Sequence, residues 1–271
     1  MKKLLIAGAG GYIGSSFISY LEKQFPGKYE QHTISVRTDT WKSEDFSGYD
    51  SFVDFAGIAH IQETEENAHL YYEVNRDLAL ALCEKAKDAG VRQFIYLSSM
   101  SVYGLETGRI DSETRPAPIT NYGKSKLEAE QKLSGLASDS FKLAILRPPM
   151  IYGDNCKGNY AILVKLAEHL PVFPSLRNQR SALHIERLCA FLEKILENEA
   201  AGLFFPQDED YMCTCDTVQR IAKSRGRNLR LSPALNIPAK LAMCLPGGLG
   251  SKARKAFGNL IYDQEMSTWA W

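Results

Sequence analysis

Tyr122 and Lys126, in the run Tyr122-Gly123-Lys124-Ser125-Lys126, set a phenol and an ammonium four residues apart. On a helix, residues i and i+4 share one face. A free tyrosine titrates near pH ~10 and is a poor base at neutrality. A neighbouring positive charge favours the phenolate, so this pair can pass protons to and from a substrate hydroxyl. The same spacing also occurs on ordinary amphipathic helices that carry an exposed lysine. The pair therefore takes its meaning from what the rest of the chain places around it.

The chain opens with the short apolar run Leu4-Leu5-Ile6-Ala7. Gly8-Ala9-Gly10-Gly11-Tyr12-Ile13-Gly14 follows, and then Phe17, Ile18 and Leu21 at helical spacing. That is strand, tight turn, helix. Glycines at such a turn let the backbone approach a pyrophosphate, and the helix N-terminus offers free N–H groups and a partial positive charge. In this context Gly8, Gly11 and Gly14, with Tyr12 and Ile13 between them, predict a dinucleotide site. Lys2 and Lys3 before an apolar run also suit a signal peptide. The run is short, broken by glycines and followed by Ser15, Ser16 and Ser19, which argues against secretion.

A second strand is expected over 31–36, ending in Arg37-Thr38-Asp39. An acid at this strand's end bonds an adenosine ribose, whereas an arginine accommodates a 2′-phosphate. Arg37 tilts the cofactor to NADP, and Asp39, two residues late, keeps NAD open. A third strand over 50–55 ends in the small residues Ala56 and Gly57 beside the cofactor. Too little chain separates Arg37 from it for another strand and helix, so the sheet is expected to be abbreviated there. Residues 68–89 read as one long helix with Leu70, Val74, Leu78, Ala81 and Leu82 on its apolar stripe, closed by Gly90. A strand over 93–97 leads into Ser98-Ser99-Met100-Ser101-Val102-Tyr103-Gly104.

Strands alternating with helices imply an α/β fold, a Rossmann-like doubly wound parallel sheet that binds ligands beyond its strands' carboxyl ends. Ser99 falls at such an end, and Tyr122 can do so at the start of its helix. Residues 1–152 read as the NAD(P)-binding domain. Residues 153–271 read as a smaller substrate-binding region, part of which returns to the sheet. It carries helices over 160–169, 186–197 and 216–223, a strand over 203–205, and punctuating prolines from Pro171 to Pro246. The tail ends in Trp269 and Trp271, which can pack on the core or on a neighbouring subunit.

At 271 residues the chain can bury a full α/β core. Its 32 basic and 32 acidic residues balance, so no global field favours nucleic acid or an anionic membrane. No apolar stretch is long enough to span a bilayer. Cys83, Cys156, Cys189, Cys213, Cys215 and Cys244 read as reduced thiols of a cytoplasmic protein. The close pair Cys213 and Cys215 lacks zinc or redox spacing, and no metal is expected. His60 and His184 read as hydrogen-bonded structural residues.

Together these residues resemble the extended short-chain dehydrogenase/reductases, and within them the NAD(P)-dependent nucleotide-sugar epimerase/dehydratase family. The resemblance rests on the glycines at 8, 11 and 14, the Ser98–Gly104 run, Tyr122 and Lys126. It also rests on Arg147-Pro148-Pro149-Met150-Ile151-Tyr152-Gly153 and on Arg180 followed by His184. It covers nearly the whole chain, most firmly up to about residue 185. It implies that Tyr122 is the acid/base, that Lys126 lowers its pKa and binds the nicotinamide ribose, and that Ser99 bonds the reacting oxygen. It further implies that Asn75 supports the cofactor site and that Arg180 contacts a nucleotide diphosphate, which a guanidinium suits.

Departures from the family pattern narrow the chemistry. Family dehydratases carry an acidic pair directly after the Ser99 position, where this chain has Met100 and Ser101. Neither can do that acid/base work, which speaks against 4,6-dehydration; Ser101 is placed instead among the substrate contacts. Met150 replaces a common asparagine. Residues 157–160 and 178–181 resemble a short branch of the family that includes 4-epimerases and 4-keto-sugar reductases of surface-polysaccharide synthesis, with Asn159 as a nucleotide contact. The implied substrate is a nucleotide sugar, UDP-linked by expectation. A 4-keto-reductase using NADPH and a UDP-hexose 4-epimerase keeping NAD share this apparatus; Arg37 leans to the reductase. A non-catalytic NADP-binding sensor is disfavoured by the Tyr122/Lys126 pair, and a general carbonyl reductase by Arg180. The resemblance also implies a homodimer through the helices at 68–89 and 122–135.

Overall fold

The computed structural model describes residues 1–59, 61 and 63–269; His60 and Trp271 lie outside them. Six parallel strands form the central sheet, in the order Gly202–Phe204, Lys142–Leu146, Gln93–Leu97, Ser51–Asp54, Lys2–Ala7, Tyr29–Ile34. The chain builds outward to Tyr29–Ile34, then returns to the other side of Lys2–Ala7 to lay down the rest. The reversal opens a crevice beyond Ala7 and Asp54, the place where such sheets bind ligands.

Helices cover both faces of the sheet, so its strands read as apolar runs. Leu4, Ile6, Val53 and Ile95 cluster with Phe17 and Leu21 of helix Tyr12–Gln24 and with Leu188 and Leu192 of helix Ile185–Glu197. Leu5, Phe52, Phe94 and Leu143 cluster with Leu82 and Ala86 of helix Ala79–Asp88 and with Ala129 and Leu133 of helix Asn121–Ser134. Helix Ile185–Glu197 packs on this sheet and strand Gly202–Phe204 forms its edge. Trp269 packs on this chain's own core, with ring centroids 5.8 Å from Phe191 and 5.0 Å from Phe204.

The abbreviated crossover is present. Only the 3₁₀ turn Asp39–Ser43 lies between the second and third strands. Buried Trp41 and Phe46 fill the space a helix would occupy, with Phe46 5.4 Å from Phe52.

Two sequence expectations need correction. The second strand is Tyr29–Ile34 and not 31–36. Its last residue pairs with Ala7, where the partner strand must stop because the glycine turn begins, so Arg37 lies three residues past the strand. The helix over 68–89 is not uniform: α-helix Ala68–Tyr72 opens into a π-helical segment, Glu73–Leu78, before Ala79–Asp88 resumes. The buried line is Tyr71, Asn75, Ala79, Leu82, Cys83 and Ala86, whereas Leu70, Val74, Leu78 and Ala81 are only half-buried. A wide turn of this kind is frequent at functional sites. It brings Asn75 inside, where the Tyr96 hydroxyl donates to its carbonyl at 2.7 Å.

In the second half, helices Asn159–His169 and Thr214–Ser224 share a small core of Leu163, Ala167, Phe173, Val218 and Leu229. Helices Asn236–Cys244 and Gly247–Phe257 form a hairpin beyond it. Among the described residues no helix is long and apolar enough to cross a membrane. All six cysteines are free thiols.

Candidate active site

Tyr122 stands in the first turn of helix Asn121–Ser134. Thr120 caps that turn by accepting the Gly123 N–H at 3.1 Å, a bond worth about 1 kcal/mol. A Cβ on Gly123 would lie 2.6 Å from the Ser101 carbonyl oxygen. The glycine thus lets the helix start press on the turn after strand Gln93–Leu97, where Ser99 caps the 3₁₀ turn Met100–Tyr103. Ser99 stands close enough to the Tyr122 phenol to hold its pKa down, and its Oγ lies 3.1 Å from Ser101 Oγ. Strand end and helix start therefore bring the serine and the tyrosine together.

Lys126 is not among the groups that shift the Tyr122 phenol in this structure. Burial pushes the Tyr122 pKa up, and Ser99 is what opposes it. The Lys126 ammonium instead donates to the Leu97 carbonyl at 2.7 Å and lies 4.5 Å from the centre of the Tyr96 ring. Burial lowers the Lys126 pKa to about 8, with Asp54 and Glu130 pulling the other way. A Cβ on Gly57 would stand 3.4 Å from Lys126 Nζ and 3.1 Å from Asn75 Oδ1, so lysine and asparagine lie directly under the loop that ends the third strand.

Asn75 holds that loop. Its Oδ1 accepts the Ile58 N–H at 2.8 Å, and its Nδ2 donates to the Ile58 carbonyl at 3.0 Å and to Ser125 Oγ at 3.2 Å. Ser125 in turn donates to the Tyr122 carbonyl at 2.9 Å. One amide thus ties the crevice loop to the tyrosine's helix.

Sequence reasoning missed three residues. Asp54, 1% exposed, accepts the Ala56 N–H at 2.9 Å through Oδ1, while among the described residues its buried Oδ2 has no hydrogen-bond partner. Burial raises its pKa to about 6, against the pull of Lys126 and the Ala56 N–H. The available signal was an acid inside the apolar run Phe52-Val53-Asp54-Phe55. Glu130 and Arg147 form a buried ion pair, Nη2 to Oε2 at 2.6 Å and Nε to Oε1 at 3.0 Å, and Ser98 donates to the same carboxylate. Arg147 Nη1 also donates to the Tyr103 hydroxyl at 2.9 Å. This network fixes the middle of the Tyr122 helix against the strand ends.

The glycine turn fits a dinucleotide. A Cβ on Gly8, at φ 74°, would meet the Phe55 carbonyl carbon at 2.5 Å, and one on Gly14 would meet the Gly8 oxygen at 2.5 Å. Backbone alone can close this corner. Gly10 and Gly11 are exposed, no side chain caps helix Tyr12–Gln24, and no acid lies in its first turn, which leaves its N–H groups for an anion. Arg37 and Asp39 are exposed, and Asp39 pairs with Lys42 at 3.0 Å.

In the second half, Arg180 pairs through its backbone with Met212, N to O at 2.9 Å and O to N at 2.8 Å. Its guanidinium donates to the Gly258 carbonyl at 3.0 Å. Burial alone lowers its pKa to about 10; among the described residues no carboxylate pairs with it. Such a cation invites an anion. Ser101 is exposed beside Ser99, and Asn159 is exposed at the start of its helix; among the described residues no hydrogen bond joins Asn159 to Arg180 or Tyr122. The His184 ring packs 5.1 Å from Tyr152, and the His184 backbone N–H donates to Asp208 at 3.1 Å.

A cavity of about 420 Å³, bounded by Tyr152, Asp208, Met212, Asp216 and Arg220, adjoins the Arg180 bridge through Met212; Tyr122, Lys126 and Ser99 do not line it. The spacing argument against a metal passed over one grouping: donor atoms of Cys213, Cys215 and Asp216 lie within 4.8 Å of one another. Asp216 is engaged with Arg177 at 2.8 Å.

Residues 4–204 match the NAD dependent epimerase/dehydratase family. The UDP-glucose 4-epimerase of Vibrio cholerae is 29% identical over 246 residues, covering 82% of this chain and 75% of that protein. The N-acetyl-alpha-D-glucosaminyl-diphospho-ditrans,octacis-undecaprenol 4-epimerase of Escherichia coli O157:H7 is 27% identical over 258 residues, covering 89% and 76%. The UDP-glucuronic acid 4-epimerase of Bacillus cereus, solved with NAD, shares the fold at TM-score 0.70 and 20% identity, covering 94% of each chain. With the crevice, the glycine turn and the Ser99, Tyr122 and Lys126 cluster in one place, the match has its structural basis: the chain belongs to the NAD-dependent epimerase/dehydratase family.

Proposed function

We propose that this protein is a 4-epimerase of a hexose carried on a diphosphate, with Tyr122, Ser99 and Lys126 as its catalytic residues. The observation that carries the reading is the approach of Ser99, at the end of strand Gln93–Leu97, to Tyr122, with the buried Lys126 ammonium one turn along the same helix and under the loop that ends the third strand. A bound nicotinamide cofactor supplies the hydride acceptor and donor. Tyr122 passes a proton to and from the C4 oxygen, and Ser99 hydrogen-bonds that oxygen. Lys126 stabilises the tyrosinate that forms when the proton leaves. Asn75 and Gly57 hold the loop under which Lys126 lies, and Arg180 receives the diphosphate. Gly8, Gly11, Tyr12, Ile13 and Gly14 hold the cofactor's pyrophosphate.

Ser101 lies at the sugar. Met100 packs among Val102, Tyr103 and Leu260 rather than offering an acid to the pocket, which supports a reaction without loss of water. The two relatives' names place their sugars on different carriers, UDP and undecaprenyl diphosphate; the diphosphate is the handle they share. We take UDP as the carrier.

A second reading, a 4-keto-sugar reductase using NADPH, is favoured by Arg37 alone. Two relatives named 4-epimerases outweigh one exposed arginine three residues past its strand. The deciding assay incubates the purified chain with UDP-glucose, UDP-galactose and their N-acetyl forms. Interconversion at C4 without net use of added nicotinamide supports epimerisation. Stoichiometric NADPH oxidation with a 4-keto sugar, and no interconversion, would replace it by reduction.

A further inference from the structure

We propose that the hairpin of helices Asn236–Cys244 and Gly247–Phe257 is a docking element for an anionic membrane surface. Among the described residues eleven large hydrophobic side chains are exposed, and four of them fall within residues 237–249: Ile237 at 68%, Leu241 at 64%, Leu245 at 43% and Leu249 at 64%. Scattered exposed leucines need no explanation, but clustered ones mark an interaction surface. Ile237 and Leu241 are one turn apart on the first helix, Leu245 is in the joint and Leu249 opens the second helix.

The hairpin is firmly built. A Cβ on Gly250 would collide with the Leu245 carbonyl, so the glycine lets the second helix seat against the joint. Arg254 donates to the Met243 carbonyl at 2.9 Å and the Leu245 carbonyl at 3.2 Å, closing the first helix's C-terminus, and to Glu106 at 2.7 Å. The apolar side chains are therefore presented by a fixed scaffold.

Charge selects the partner. Residues 236–258 contain Lys240, Lys252, Arg254 and Lys255 and no acid. Lys240, Lys252 and Lys255 are exposed, Lys255 lying 3.8 Å from Glu106. A second copy docked by a two-fold axis would set these lysines against themselves. Anionic headgroups neutralise them while the leucines enter the acyl boundary, as in helices that lie in the plane of a membrane interface. The balanced charge of the whole chain conceals this local field. Arg180 Nη1 donates to the carbonyls of Arg254 and Gly258 at the far end of the second helix, which ties the hairpin to the strand bridge that carries Arg180.

Sedimentation of the full chain with vesicles tests this without cofactor or sugar, so its result is independent of the reaction proposed above. The chain is expected to pellet with vesicles of phosphatidylcholine and phosphatidylglycerol, less with phosphatidylcholine alone, and less as salt rises. Each lysine near an anionic surface is worth roughly fivefold in binding, so Lys240→Gln with Lys252→Gln should weaken partition roughly twenty-five-fold. Leu241→Glu with Leu249→Glu should abolish it, with melting unchanged because these side chains are exposed. Wild type remaining in the supernatant, equal binding to both vesicles, or variants that pellet like wild type would each overturn the proposal. A dimer that Leu241→Glu with Leu249→Glu splits, in the absence of vesicle binding, would instead assign the face to a second copy.

Discussion

Asp54 and Lys126 hold opposite charges in one buried space, 1% and 5% exposed, and each draws the other towards its ionised form. Among the described residues Asp54 leaves Oδ2 without a hydrogen bond, a costly state for a buried oxygen. What it contributes is a lysine that stays charged where burial favours losing the proton. Replacing Asp54 by Asn should drop the Lys126 pKa below about 8. If turnover requires the ammonium, the alkaline limb of kcat/KM moves to lower pH, by on the order of one unit. Superimposable pH profiles for the variant and wild type would show that Asp54 does not support Lys126.

The same two groups set the pH dependence of stability, with signs opposite to those of a paired surface charge. Asp54 has a folded pKa raised from 3.8 to about 6, so between these values the native state binds more protons than the unfolded state. Stability falls as pH rises through that window. Lys126 has a folded pKa lowered from 10.5 to about 8, so between those values the unfolded state binds more protons and stability rises with pH. Thermal melts of Lys126→Met and wild type from pH 7 to pH 10.5 should show wild type gaining about 1–3 kcal/mol on the variant. Parallel melting curves would contradict a depressed lysine.

Tyr122→Phe keeps the ring that packs 6.3 Å from Tyr71 and removes only the hydroxyl. Turnover should fall roughly 10²–10⁴-fold, with cofactor affinity and melting temperature held. Activity close to wild type would move the acid/base role away from this residue and leave a binding protein as the better reading.

Local rules explain what was legible in the sequence. Glycines at 8, 11 and 14, the start of the Tyr122 helix and the strand end at Ser99 follow from turn chemistry and alternation. The π-helical segment was not legible, because one extra residue in a turn rotates the helix face without altering the apolar spacing that signals a helix. That hid the burial of Asn75. The place of Arg37 depended on register with Ala7, and register depends on pairing across the sheet. Asp54 looked like any acid near a strand end, since burial of a carboxylate is a property of what packs on it. Glu130 and Arg147, on different elements, gave no local sign of their pairing. Ile237 and Leu241 have the spacing of a core helix, and only the fold shows them turned outward.

Gly57 and Gly8 should respond differently to alanine. At Gly57 the new methyl would press on Asn75 Oδ1 at 3.1 Å and Lys126 Nζ at 3.4 Å, two side-chain atoms that can yield slightly. The expected result is a folded protein with weaker cofactor binding. At Gly8 the methyl would lie 2.5 Å from the Phe55 carbonyl carbon, on a residue at φ 74°. Backbone cannot yield there, so Gly8→Ala should cost several kcal/mol, on the order of 3 or more, and lower the melting temperature sharply. Calorimetry of both variants with an NAD titration separates the two effects. A Gly8→Ala protein with wild-type melting and affinity would mean that the glycine turn is not the closed corner described above.

Glu130 and Arg147 offer the last test, of how the Tyr122 helix is held. Both are buried, with side-chain exposures of 6% and 8%, and three nitrogen–oxygen contacts join them at 2.6 to 3.2 Å. Removing one partner strands the other's charge in the interior, which typically costs about 3–5 kcal/mol, whereas removing both is much less costly. Arg147→Met should therefore destabilise more than Arg147→Met combined with Glu130→Gln. Ser98 and the Tyr103 hydroxyl also bond this pair, so even the double variant should loosen the turn that carries Ser99. Its kcat should fall several-fold while its melting temperature recovers relative to the single variant. Equal melting of single and double variants would show that the pair's charges are not coupled, and unchanged kcat in the double variant would show that Ser99 and Tyr122 are positioned without it.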